Sequence, residues 1–244
     1  MTEIEGYVDS VLAVTSPILP LIHLLNRCMC FTEEYTAGEP KRTGAREAFL
    51  ELLGEIRREQ RQCVDKIGKV GSRLVARGDK VSTFSTSGSV MEILKNTVIE
   101  GKEITAAAFE ARPNSEGYRT LQEISELGIP VTFGCDALLC KLVPGSKLFF
   151  IGADAITSTG EVYAKTGSYL AALVCNEFGI PFYVAADTSK FDPLSLLGFP
   201  IKDSLRPASE VTDMDVPEIS EVVNISFELI PARLITGIIT EKGL

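Results

Sequence analysis

Five short apolar runs in this 244-residue chain each hand over to residues with chemical potential. After "KVSTF" come Ser85, Thr86, Ser87 and Gly88. After "EITAAAF" come Glu110 and Arg112. "PVTFG" runs through Cys135 to Asp136, "KLFFIGA" climbs into Asp154, and "PFYVAA" ends at Asp187 and Thr188. A carboxylate straight after a wholly apolar strand needs partners or a shifted pKa. Asp154 is therefore a candidate site residue for acid/base work. Asp136 and Asp187 serve equally well as caps of the turns that follow them. Arg112 offers a planar fork suited to phosphate or carboxylate. The "STSGS" loop supplies hydroxyls and backbone N–H groups at a helix start, an anion cradle in which Thr86, Ser87 and Gly88 are the candidate donors. Lys165 is read as opening the helix "AKTGSYLAALVCNEFG", where a cation opposes the helix dipole unless an anion binds beside it.

These residues meet only if the runs are neighbouring strands. From Lys80 onward the apolar runs alternate with amphipathic segments, "GSVMEILKNTVIEG", "SEGYRTLQEISELG" and the "AKTGSYLAALVCNEFG" stretch. Gly101, Gly128 and Gly179 are the expected stops. Strand, helix, strand in this order predicts a parallel sheet covered by helices, with "ARLITGIIT" as a last strand. In such a sheet ligands bind outside the carboxyl ends of the strands, so the candidates converge on one edge. Before Gly78 the texture is helical. Phe49, Leu52, Leu53, Ile56, Cys63, Ile67, Val70 and Leu74 recur at three- and four-residue spacings, after a loop at residues 36–44. The fold class is thus α/β. A helical domain over residues 1–79 precedes a Rossmann-like ligand-binding domain over 80–244.

Composition limits the partners. With 45% hydrophobic and 23% charged residues the chain reads as a globular protein, and a net charge of −9 argues against a broad nucleic-acid surface. One small anionic ligand needs only local donors. His23 is the sole histidine and none of the six cysteines has CxxC spacing, so no metal site is expected. Four cysteines sit in apolar surroundings, as reduced thiols of a cytoplasmic protein. "VLAVTSPILPLIHLL" follows acidic rather than basic residues and contains Pro17 and Pro20, so it reads as a folded helix with a proline break. No run is long and apolar enough to span a membrane. There is no Walker loop and no GxGxxG, and no cofactor is expected.

Four segments in order, "FEARPNSEG" (109–117), "GADAITSTGEVYAKTGSYLAALV" (152–174), "IPFYVAADTSKFDP" (180–193) and "FELIPARLITGIITEKGL" (227–244), resemble the translation initiation factor 2B alpha/beta/delta family. That family includes isomerases of methylthioribose 1-phosphate and ribose 1,5-bisphosphate. The resemblance implies a helical N-terminal domain, a Rossmann-like C-terminal domain, a homodimer formed through the latter, and a translation-factor partner in the non-catalytic branch. In the isomerase branch a cysteine after the first strand and the aspartate of "GAD" carry acid/base work. The aspartate falls on Asp154. The lysine of "NK(I/T)G" falls on Lys165, and the arginine of "E-x-R-P" on Arg112. The cysteine position holds Ser85, the asparagine position holds Ala164, and the N-terminal glycine loop has no counterpart. A thiol titrates near ~8.5 and a serine hydroxyl is a far weaker acid. Two readings follow. One is a non-catalytic initiation-factor-2B-like protein whose crevice holds a phosphorylated sugar or nucleotide. The other is an aldose–ketose isomerase of a phosphorylated pentose, with Ser85 or Cys135 in place of the family cysteine.

Overall fold

The computed structural model describes residues 19–37, 44–198, 205–212, 214, 217 and 220–244. Two helices come first, α1 (Leu19–Ala37) and α2 (Ala45–Ser72). The expected loop is outside the described residues at 38–43, as is Pro17, while Pro20 lies within α1. Each apolar position read from the α2 pattern is buried or half-buried. Ile67 joins the same core as Val81, Val90 and Ile93, so α2 lies against the sheet domain's first helix.

The sheet follows the sequence pattern. Its strands are β1 (Lys80–Thr83), β2 (Thr105–Phe109), β3 (Val131–Gly134), β4 (Leu148–Ile151), β7 (Phe182–Ala185) and β9 (Gly237–Ile239). They lie in the order β3-β2-β1-β4-β7-β9, and every pairing is parallel. The crossovers are α3 (Gly88–Ile99), α4 (Gly117–Glu126), the short α5 (Leu139–Leu142) and α6 (Ser168–Glu177). Alternation along β4 explains the layering. Phe149 and Ile151 enter one core with Phe182, whose ring stacks on Phe149 at 5.3 Å, while Leu148 and Phe150 enter the other. A parallel sheet covered on both faces requires such continuous apolar strands.

A second, antiparallel sheet was absent from the sequence expectation. It joins β5 (Ala155–Ile156), β6 (Val162–Lys165) and β8 (Phe227–Ile230). Lys165 therefore ends a strand, and α6 starts at Ser168. The expectation that Lys165 opens this helix is corrected: "VYAK" pairs with "FELI", an apolar partner distant in sequence, and "TG" makes the turn. Glu228 takes the place the lysine was given, accepting the N–H groups of Gly167 and Tyr169 at 2.7 and 2.9 Å. An acid there complements the helix dipole.

All six cysteines are free. Only Cys175 is buried, with its thiol pushed up to about 12 by that burial. Cys30, Cys135 and Cys140 are exposed, so the expected apolar setting for four of them does not hold. No helix among the described residues is long and apolar enough to cross a membrane, and they contain no cluster of three metal-ligating side chains.

The loop from β2 into α4 is tightly closed. Gly117 N–H donates to Glu110 O at 2.9 Å, and a Cβ at Gly117 would fall 1.6 Å from Phe109 O. Only glycine fits so close to another backbone. Gly117→Ala is expected to destabilise the chain by at least the upper end of the ~1–3 kcal/mol range for overpacking. A lowered midpoint of urea unfolding checks this; an unchanged midpoint contradicts it.

Candidate functional site

The strand order reverses between β1 and β4, the place where an open parallel sheet leaves a crevice above its carboxyl ends. Ser85 follows β1 and Asp154 follows β4, so the two principal sequence candidates flank that point. The loops that carry them touch. A Cβ on Gly152 would fall 2.7 Å from Ser87 Oγ, so the "GAD" loop needs its glycine to pass the "STSGS" loop.

Ser85 is held in a left-handed backbone conformation (φ 61°) that costs a non-glycine residue about 1–3 kcal/mol. Two groups from the α4 region fix it there. Thr120 Oγ1 donates to Ser85 O at 2.7 Å, and Ser85 Oγ donates to Glu116 Oε2 at 2.7 Å. Lys165 Nζ meets the other oxygen of the same carboxylate at 3.4 Å. Lys165 is 6% exposed and Ser85 8%, whereas the Glu116 side chain is 33% exposed. Glu116 is thus the member of the trio that faces outward. It stands at the N-cap position of α4 but makes no capping hydrogen bond with its side chain. Ala111 and Ser115, in the same loop, also have positive φ of 57° and 55°.

Asp154 is half-buried beside this trio. Its backbone N–H donates to Tyr163 O at 2.8 Å, which places it at the start of the antiparallel sheet. Loss of water pushes its carboxyl above the usual range. The cations of Lys190 and Lys165 pull it down and the Glu116 carboxylate pushes it up, and burial prevails. Lys190 itself donates to the carbonyl of Ala153. The result is a carboxyl group that keeps its proton more readily than a surface aspartate, close to two cations and one further acid.

The other sequence candidates divide. Ser87 caps α3, accepting the Val90 N–H at 3.4 Å; Thr86 is half-buried beside it, and Gly88 is exposed as the helix's first residue. These three line the β1 side of the crevice. Glu110 lies at the end of β2, one strand further away. Arg112 is exposed and its guanidinium donates to Val211 O at 2.9 Å, against the turn at Ala208–Glu210. Asp136 is a loop anchor, since its two oxygens accept the N–H groups of Ala111 and Arg112 at 2.9 and 2.8 Å. Asp187 caps its own turn by accepting from Ser189 N–H, and the Thr188 N–H donates to Glu241 at 3.0 Å. Cys135 follows β3, the edge strand, with β2 between it and β1. Sequence reasoning missed Glu116. The available signal was an acid directly before a helix in "NSEG", next to the arginine motif.

Comparison with known proteins then gives a consistent result. Residues 8–244 match the Initiation factor 2 subunit family. A methylthioribose-1-phosphate isomerase from Maridesulfovibrio salexigens is 40% identical over 214 residues, covering 80% of this chain and 61% of that protein. A ribose 1,5-bisphosphate isomerase from Methanocaldococcus jannaschii is 32% identical over 200 residues, covering 82% of this chain and 65% of that protein. The chain thus spans less than two thirds of either relative's length. Among solved structures, the translation initiation factor eIF-2B of Pyrococcus horikoshii OT3 aligns with a TM-score of 0.68 at 26% identity, over 98% of this chain and 87% of that one. A helical N-terminal region followed by a six-stranded parallel sheet is the architecture this chain shares with that solved structure, and the chain belongs to the Initiation factor 2 subunit family.

Proposed function

We propose that the crevice between β1 and β4 binds a phosphorylated pentose and interconverts its aldose and ketose forms. The observation that carries this reading is a half-buried Asp154, its carboxyl pushed above the ordinary range by loss of water, beside the Ser85–Glu116–Lys165 trio at the strand-order reversal. The relatives named as sugar-phosphate isomerases support it. A ring whose anomeric oxygen carries phosphate cannot open by losing an anomeric hydroxyl proton. It opens when the ring oxygen is protonated and the C1–O bond breaks. Asp154, held above the ordinary carboxylate range, is suited to donate that proton. A proton then leaves C2 and one arrives at C1, while the O2 hydroxyl proton returns to Asp154. C2 is oxidised, C1 is reduced, and no co-reactant is needed. The "STSGS" loop, with Thr86, Ser87 and Gly88 at the start of α3, offers phosphate donors, and Arg112 adds a cation at the rim. Lys165 orients Glu116 and Asp154.

One observation favours the second reading, a non-catalytic binding protein with a translation-factor partner. Ser85 stands at the family's thiol position, and the Lys165 charge is already answered by Glu116. Turnover assays and calorimetry with ribose 1,5-bisphosphate and methylthioribose 1-phosphate separate the two. Turnover of one substrate is expected, with kcat lowered about 10²–10⁴-fold in Asp154→Asn. Binding without turnover removes the isomerase and leaves the binding protein, and binding of neither compound removes both.

The raised pKa of Asp154 also fixes a pH dependence. Between the ordinary carboxylate value and its own raised value, the folded chain holds a proton that the unfolded chain releases. Stability on this account falls as pH rises through that window, and is restored below it. Asp154→Asn is expected to melt higher than the wild type at neutral pH. The gap should close once the pH is below the ordinary carboxylate range, and a gap that persists there contradicts this account.

A cytoplasmic homodimer completes the proposal. Leu170, Leu173 and Phe178 are 49%, 43% and 49% exposed along α6 and its end, an apolar strip suited to pairing with a second copy. Sedimentation at micromolar concentration should give a dimer, reduced to a monomer by the double substitution Leu170→Glu and Leu173→Glu. A wild-type monomer would refute this.

A further inference from the structure

The isomerisation described above needs a base at C2, and the family's thiol is absent. Resting on that reading, we propose that Glu116 is this base: its carboxylate takes the C2 proton of the ring-opened sugar and delivers a proton to C1. The remaining groups at the crevice are poorly placed for the task. Ser85 is 8% exposed and its hydroxyl proton is directed at Glu116 Oε2. A serine hydroxyl without its proton is also too costly at neutral pH to serve as the resting base. Lys165 and Lys190 are donors, engaged with Glu116 and with the carbonyl of Ala153. Cys135 belongs to the edge strand, and Glu110 ends a strand that does not border the crevice. Asp154 is assigned to the ring oxygen. Glu116 alone combines a carboxylate, partial exposure and a position fixed from two sides.

Geometry also argues against a merely neutralising role. An acid needed only to answer Lys165 has no reason to hold Ser85 as well. Here one oxygen is anchored by the ammonium and the other by the hydroxyl, so the carboxylate plane is set. Each oxygen retains a lone pair for the crevice, since a carboxylate offers about four acceptor sites in all. Glu116 and Asp154 are also close enough to sense each other's charge, as two groups acting on neighbouring atoms of one small sugar must be. The step balances. The C2–H bond breaks with its electrons forming C1=C2, Glu116 becomes a carboxylic acid, and protonation of C1 regenerates the carboxylate as O2 becomes the carbonyl.

The test is turnover of ribose 1,5-bisphosphate and methylthioribose 1-phosphate in D2O by wild type, Glu116→Gln and Glu116→Asp. Solvent deuterium is expected at C1 of the wild-type product. Glu116→Gln should lower kcat about 10²–10⁴-fold while calorimetry still detects substrate binding. Glu116→Asp keeps a carboxylate one methylene back, and should be slowed by about tenfold or more with deuterium still entering C1. Glu116→Gln with kcat within about tenfold of wild type overturns the assignment. If Glu116→Gln melts far below the wild type, Glu116→Asp decides, and full-rate turnover by it overturns the assignment. A wild type that turns over neither compound removes the isomerase reading itself and this base with it. That outcome is distinct from a working enzyme indifferent to Glu116.

Discussion

A buried ammonium must have a counter-charge, and at Lys165 that requirement organises the crevice. With 6% of its surface exposed, the side chain has lost most of its water. An unpaired charge in that setting is strongly disfavoured. Glu116 supplies the opposite charge from the start of α4, and this brings α4 over the end of β1. There Thr120 and Glu116 clamp Ser85 from its carbonyl and its hydroxyl. The strained backbone of Ser85 persists because both ends are held. Removing the ammonium would leave the carboxylate free to turn toward water and Ser85 with a single tether.

The two sheets divide the work of placing the acids. The parallel sheet fixes where Ser85 and the "GAD" loop emerge, because β1 and β4 are paired from Val81–Leu148 to Thr83–Phe150. The antiparallel sheet fixes how Asp154 and Lys165 leave that edge, since β5 and β6 run back across it. Asp154 sits at the junction of the two. Its partial burial is a property of that junction, and the same burial gives it the affinity for a proton that a general acid requires. A surface aspartate with identical neighbours would lack the loss of water that raises this carboxyl.

Much of this was legible in the sequence. The apolar runs named six parallel strands because each is short, β-branched or aromatic, and bounded by glycine or polar residues. Asp154 was legible because nothing polar surrounds it in the chain. Lys165 was placed on the wrong element. "VYAK" is only four residues long and is separated from the helix by only two residues, so local periodicity absorbed it. Its strand character comes from "FELI", which no local window contains. Glu116 was not legible as a site residue because it does not directly follow a strand but stands seven residues beyond Phe109. Its role depends on Ser85 and Lys165, which approach it only through tertiary packing. Asp136, read from the sequence as equally a cap, is a loop anchor, since each of its oxygens accepts one backbone N–H from the loop after β2.

The pairing of β6 with β8 has a consequence for the order in which the molecule is made. Lys165 lies opposite Phe227, and Val162 opposite Ile230. Vectorial synthesis releases the strand carrying Lys165 well before its outer neighbour exists. Through that interval β6 has only the two-residue β5 to pair with, and the carboxyl cap of α6, Glu228, has not yet been added. Contacts so far apart in sequence close late, after the loop entropy between them has been overcome. The half-crevice made of Ser85, Glu116 and α4 is built from segments near in sequence, whereas the half bearing the cation depends on a pairing that requires residues 227–230.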